Sequence, residues 1–257
     1  MDYKEGLIKK SVITCDPHVP FHDKLLWKNI LNFCKDLKLT SIDEFIIGGD
    51  GIDFFTISPF LKIINSQIDP ENVQYERTSF LEFLRDLRKV CKKAKIIFIE
   101  GNHEARWDKF LSSDAKQLSR IPELEIKNFL GINKYNIKYV QEYKPNLDFL
   151  IKHGESISKH PSQIEIDKEI CSGVSGHSHR TDRAYRRGHD KKYRWYSLGH
   201  TADKNQIDKN CKFSRPLKWD QSIGLLITDF KNNEWDMEVM HCDNNGFYSK
   251  FLRKKYL

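Results

Sequence analysis

Two histidines stand one residue apart in "SGHSH", His177 and His179, behind a turn of small residues. Metal-ligand types recur in short clusters along the chain. Asp16 and His18 form a D-x-H, and Asp50 and Asp53 sit in "IGGDGID". Asn102, His103 and Glu104 follow Gly101 in "EGNHEAR", and His153 precedes a glycine in "IKHGES". Each cluster alone has an ordinary explanation: a chance pair, a turn acid, a helix cap or a satisfied core histidine. Together, Asp16, Asp50, Asn102, His18, His153, His177 and His179 offer oxygen and nitrogen donors without a thiolate. That set suits manganese, iron or zinc rather than a structural thiolate-zinc site. Seven ligands exceed what one tetrahedral ion uses, whereas two ions sharing a carboxylate about 3.5–4 Å apart would use them all.

The elements that must position these residues are legible as alternating patterns. "LIKKSVIT" reads as a strand, "HDKLLWKNILNFCKDLK" as an amphipathic helix, and "DEFIIGG" as a second strand. "NVQYERTSFLEFLRDLRKVCKK" reads as a long helix with basic residues in its last turn, and "KIIFIE" as a buried strand. This βαβ alternation implies a largely parallel sheet with covering helices. The later stretches "LDFLIKHG", "KEICSGVSGH", "KYRWYSLGH", "SIGLLITDF" and "EWDMEVMH" read as strands of a second sheet packed on the first, within one domain spanning 1–257. Five strands thus each run into a potential ligand, and ligand sites in open α/β sheets form at strand carboxyl ends. Strand residues separated by one point to the same side, so Asp16 with His18, and His177 with His179, are expected to face one site.

Composition limits the alternatives. Hydrophobic residues at 39% with 12% aromatics support a sizeable core. The apolar runs are strand-length, far short of a membrane span, and the N-terminus has no apolar h-region before a cleavage site. Six scattered cysteines form no C-x-x-C pair, against a disulfide framework. The chain reads as cytoplasmic. Net charge is +7, and residues 180–194 carry seven basic residues against two acids. This basic segment at 180–195 and a short basic tail at 244–257 suit phosphate-bearing partners, although a solvated charged loop would read the same way.

The ordered series D-x-H, G-D-x-x-D, G-N-H-E, H-G and G-H-S-H resembles the calcineurin-like metallophosphoesterases, over roughly residues 10–200. "PFHD", "EGNHEARW" and "SGHSHR" look like the stand-alone form found in phage and prokaryotic genomes. The resemblance implies a four-layer α/β/β/α fold, with two packed mixed sheets flanked by helices, and a di-metal phosphoester hydrolase. Asp16, His18 and His179 would hold one ion and Asn102, His153 and His177 the other, with Asp50 bridging. The cofactors implied are two divalent ions, manganese first and iron or zinc as alternatives, activating a bridging water. His103 would serve the leaving group as a general acid. Asp53 is similar to a residue that orients that histidine, or is a turn acid. Glu104 is a supporting or first-turn acid, and Arg106 either reaches a substrate phosphate or forms a surface pair. His22 and His200 line the site or serve as polar loop residues.

The leaving group is less legible. Tyr185, Tyr193 and Trp195 interleave with Arg180, Arg183 and their basic neighbours. That mixture suits single-stranded nucleic acid or nucleotides, but also a basic hairpin whose aromatics pack onto a sheet. The first expectation is therefore a phosphodiesterase or nuclease. A phosphomonoesterase and a non-catalytic scaffold are the alternatives.

Overall fold

A computed structural model describes residues 8–58, 72–146, 148–206, 218–243 and 246–257. In chain order it runs β1 (Ile8–Thr14), α1 (Lys24–Leu37), β2 (Glu44–Ile47), α2 (Val73–Val90), β3 (Lys95–Ile99) and α3 (Asn102–Ser113). There follow α4 (Ile126–Phe129), β4 (Ile137–Val140), β5 (Glu142–Asn146), β6 (Phe149–Lys152), α5 (Pro161–Glu169) and β7 (Ser172–Ser175). The chain then adds β8 (Asp182–Arg187), β9 (Lys192–Ser197), β10 (Gln221–Asp229), β11 (Glu234–Cys242), β12 (Phe247–Ser249) and β13 (Lys254–Tyr256).

These strands make two large mixed sheets. The first has the order β11-β10-β1-β2-β3-β4 and the second β5-β6-β7-β9-β8. Ile13, Ile46, Ile97 and Leu226 of the first sheet meet Phe149, Ile151, Val174 and Tyr196 of the second in one buried cluster. On the outer face of the first sheet lie α1 and α2. Asp23 starts α1 by accepting from the Leu25 and Leu26 amides, and left-handed Lys38 ends it. Leu26, Ile30, Phe33 and Leu37 fall on one face of α1 and pack with Phe80, Phe83, Leu84 and Leu87 of α2. Ile166 of α5 covers the far side of the second sheet against Leu150, Ala184 and Trp195. The layers are therefore helix, sheet, sheet, helix.

Three elements depart from the sequence reading. "SIGLLITDF" and "EWDMEVMH" do not join the second sheet; β10 pairs antiparallel with β1, and β11 with β10. The reason is visible in β10, where Ile223 and Leu225 face the helix layer and Leu226 faces the second sheet. A strand apolar on both faces belongs in a middle layer. Lys168 and Glu169, read as strand, instead close α5. The basic segment is a hairpin of β8 and β9, with Tyr193 and Trp195 packed on the α5 side. The C-terminal stretch folds as the β12–β13 hairpin, whose Phe247 and Tyr256 rings meet Phe33 of α1. Among the described residues no helix is long and apolar enough to cross a membrane.

Candidate metal centre

The candidate ligands come from two sheets rather than one. In the first sheet β1, β2 and β3 run parallel, and Asp16, Asp50 and Asn102 lie just past their ends. In the second, β6 and β7 run parallel, and His153 and His177 follow them. The residues meet because the two sheets stack with these ends together. The strand-alternation argument for the paired residues does not hold: both pairs lie beyond their strands. Asp16, His18, Asp50, His177 and His179 all have left-handed backbone, with φ of 51°, 49°, 47°, 65° and 54°. Asp and His enter that region more readily than most residues, yet each such residue costs on the order of 1–3 kcal/mol where the surroundings impose it.

Three groups converge within 4.8 Å: Asp16, His18 and His179; Asp50, His153 and His177; and His18, Asp50 and His103. His18 Nε2 is 3.0 Å from His179 Nε2. His153 Nε2 is 3.0 Å from Asn102 Oδ1, 3.1 Å from His177 Nδ1 and 3.4 Å from Asp50 Oδ2. Asp50 Oδ2 is also 4.0 Å from His18 Nε2, so it faces both clusters. His177 and His179 are thus divided between them.

The donor set fits cations. Asp16 Oδ1 and His179 Nδ1 are buried without a hydrogen-bond partner among the described residues, a state that buried polar atoms seldom tolerate. The Gly48 carbonyl lies 3.1 Å from His153 Nδ1. A carbonyl only accepts, so Nδ1 donates and Nε2 is left pointing at Asn102, Asp50 and His177. Such a second partner is how proteins fix a ligating tautomer. Burial opposes a charge on His153, but Asp50 and Asp16 overcome it and push its pKa up to about 10. Burial pushes Asp16 up to about 7, whereas the imidazoles around Asp50 outweigh burial and hold it well below the usual range. Burial, reinforced by His18 and His200, drives His179 well below its ordinary value. Both carboxylates therefore lean on positive charge in their midst, which a proton on His153 or a metal cation can supply.

Glu104 braces this arrangement. Wholly buried in the first turn of α3, it accepts from the amides of Asp50, Ile52 and Gly101 at 3.0, 3.1 and 2.8 Å. Gly101, not Asn102, caps the helix, so Asn102 is free to face His153. Gly49 has φ +94°, and a Cβ there would lie 2.2 Å from His153 Nδ1.

Asp53 lies between two histidines. Its Oδ2 is 3.0 Å from His18 Nδ1, without hydrogen-bond alignment, and 3.6 Å from His103 Nδ1. Its carbonyl accepts from His103 Nδ1 at 2.7 Å. Arg106 turns to His103, with Nη2 2.8 Å from Nε2, rather than outward. That contact requires an Nε2 lone pair, and burial, assisted by His18 and Arg106, lowers His103 to about 4. Arg180 donates to the Ser158 carbonyl and Arg183 is exposed on β8; among the described residues neither side chain is hydrogen-bonded or ion-paired to a candidate ligand. His200 packs 5.2 Å from the His179 ring, while His22 packs against Phe83 of α2. The ring missed by sequence reasoning is Trp219, edge-on to His179 at 4.4 Å. Forty residues separate the two, and no local pattern links them.

No family model and no curated protein matches the chain. Among solved structures it is similar to a protein of unknown function from Aquifex aeolicus, at 15% identity and a TM-score of 0.35. The match covers 79% of this chain and all of that one.

Proposed function

We propose that the protein is a di-metal phosphoester hydrolase, a phosphodiesterase acting on nucleic acid or nucleotides. The observation that carries this reading is the pair of histidine-carboxylate clusters joined at Asp50 Oδ2. Asp16, His18 and His179 would hold one cation, and Asn102, His153 and His177 the other, with Asp50 shared. Two divalent cations, manganese before iron or zinc, supply Lewis acidity and a water that ionises near neutral pH.

The chain's own residues prepare the site. The Gly48 carbonyl fixes the His153 tautomer, and Glu104 holds the Asp50 and Gly101 backbones in place, so little reorganisation is needed. His103, with Nε2 3.6 Å from Asp50 Oδ2, would serve a departing oxygen as general acid once that nitrogen gives up its Arg106 contact and takes a proton. Arg106, bonded to that nitrogen, sets how readily it takes one. Asp53 holds His18 and His103 in register. The basic β8–β9 hairpin favours a diester of nucleic-acid type over a small monoester. A cytoplasmic setting accompanies this reading: Cys15, Cys34, Cys91, Cys171 and Cys242 are free thiols.

Hydrolysis of bis-p-nitrophenyl phosphate and p-nitrophenyl phosphate with Mn²⁺, beside an Asp50→Asn control, tests the reading. Preference for the diester, lost in the control, is expected. Preference for the monoester would move the assignment to a phosphomonoesterase. Absence of turnover on both, with metal bound, would leave a binding scaffold.

A further inference from the structure

β8 and β11 are the edge strands of the two sheets, and a groove of about 970 Å³ lies between them. Tyr196 and Met237, members of the core between the sheets, form its floor. Arg183 and Tyr185 of β8 line one wall. Val239 and His241 of β11, with Lys250 and Phe251, line the other.

The strand register gives the groove a direction. β8 begins at Asp182, opposite Ser197 at the carboxyl end of β9, and β11 ends at Cys242, opposite Gln221 at the start of β10. At that end Thr181 bonds to Ser222 Oγ and to Asp220, and the Asp220 amide donates to the His179 carbonyl. One mouth of the groove therefore adjoins the strand ends that carry the metal centre, and the groove descends from there along the sandwich.

Its lining carries three acids, Asp182, Asp236 and Glu238, and three permanent cations, Arg183, Arg194 and Lys250, and two of the cations are left unpaired among the described residues. The acids that line it are engaged: Asp182 accepts from the Ser162 amide, and Glu238 from those of Lys250 and Phe251. Asp236 faces Arg194 at 3.8 Å, and that guanidinium is spread over Trp235. Arg183, over the Tyr185 ring at 5.7 Å, and Lys250 make no ion pair among the described residues. Tyr185 and Phe251 stand 59% and 42% exposed beside those cations.

We infer that this groove holds the single-stranded nucleic acid flanking a phosphate at the metal centre. Arg183 and Lys250 meet backbone phosphates, and Tyr185 and Phe251 offer ring faces to bases. The inference rests on the phosphodiesterase reading above.

The test is fluorescence anisotropy of a labelled phosphorothioate oligothymidylate, which resists cleavage, titrated with the protein as purified. Arg183→Glu, Lys250→Glu and Tyr185→Ala should each weaken binding roughly tenfold or more, and the charge reversals should flatten its salt dependence. All three side chains are exposed, so thermal melting should stay near wild type and report on folding. Binding indifferent to all three substitutions overturns the groove. So does tighter binding of poly-glutamate, which would assign the surface to an acidic protein partner. Wild-type hydrolysis of bis-p-nitrophenyl phosphate is read in parallel. Its absence beside groove-dependent binding sinks the phosphodiesterase reading alone, and its presence beside groove-independent binding sinks the groove alone.

Discussion

The backbone amide of His177 donates to Asp16 Oδ2 at 2.9 Å, joining the end of β7 in one sheet to the end of β1 in the other. A ligand-type carboxylate thereby helps hold the two halves of the sandwich in register. Asp16 Oδ1 is left buried without a hydrogen-bond partner among the described residues. Structure and chemistry are coupled at this residue, and the expected effects of perturbing the site follow from that coupling.

Divalent metal should stabilise the fold. A cation relieves the buried Asp16 and Asp50 charges in the native state alone, giving about 2.7 kcal/mol at a hundredfold excess over Kd. For a chain of this size that is roughly 5–10 °C in melting temperature. Differential scanning fluorimetry in EDTA and in Mn²⁺ measures it directly. Coincident melts would refute the centre.

His103→Ala should keep bound metal, by elemental analysis, and reduce kcat on a diester by about 10²–10⁴-fold if His103 handles the leaving-group proton. Arg106→Ala removes a cation that lowers the His103 pKa. That pKa should rise, and the corresponding limb of the kcat–pH profile should move upward with it. A profile that stays in place would assign Arg106 a purely structural role.

Gly49→Ala should be far more damaging than an alanine at an ordinary loop glycine. The backbone is left-handed, and the new methyl would meet the His153 ring at 2.2 Å. A loss on the order of 3 kcal/mol or more in urea denaturation, accompanied by loss of metal, is expected. A stable variant with full metal content would show that His153 can shift without consequence.

Glu76 gives a pH test away from the proposed ligands. It is buried in α2 and accepts from the Phe55 and Thr56 amides. Burial pushes its pKa up to about 7 against those hydrogen bonds. A carboxyl raised above its unfolded value favours folding while protonated, so its contribution declines as pH rises from about 4.5 to about 7. In Glu76→Gln this titration is absent. The variant should be less stable than wild type at pH 5, and the gap should narrow by roughly 2–4 kcal/mol at pH 8. A gap constant with pH would mean that Glu76 is already ionised at pH 5.

Much of this molecule was written locally. The helical spacing of Leu26, Ile30, Phe33 and Leu37, the cap at Asp23 and the buried run of β3 depend on near neighbours, so α1 and β3 were readable within a residue or two. The identities of all seven candidate ligands were equally plain, because such side chains cluster after strands and beside glycines. Which sheet β10 and β11 join was not local. It depends on both faces of β10 finding apolar cover, from α1 and α2 on one side and the second sheet on the other. The pairing of His177 with His153 and of His179 with His18 was likewise set by left-handed turns and by the stacking of two sheets. Arg106 and Trp219 follow the same rule: one turned inward to His103, the other arrived beside His179 from forty residues away. Residue type and short-range period determined what the chain has to work with. Packing between distant segments, which alone decides where buried polar atoms find partners, determined how those residues are arranged.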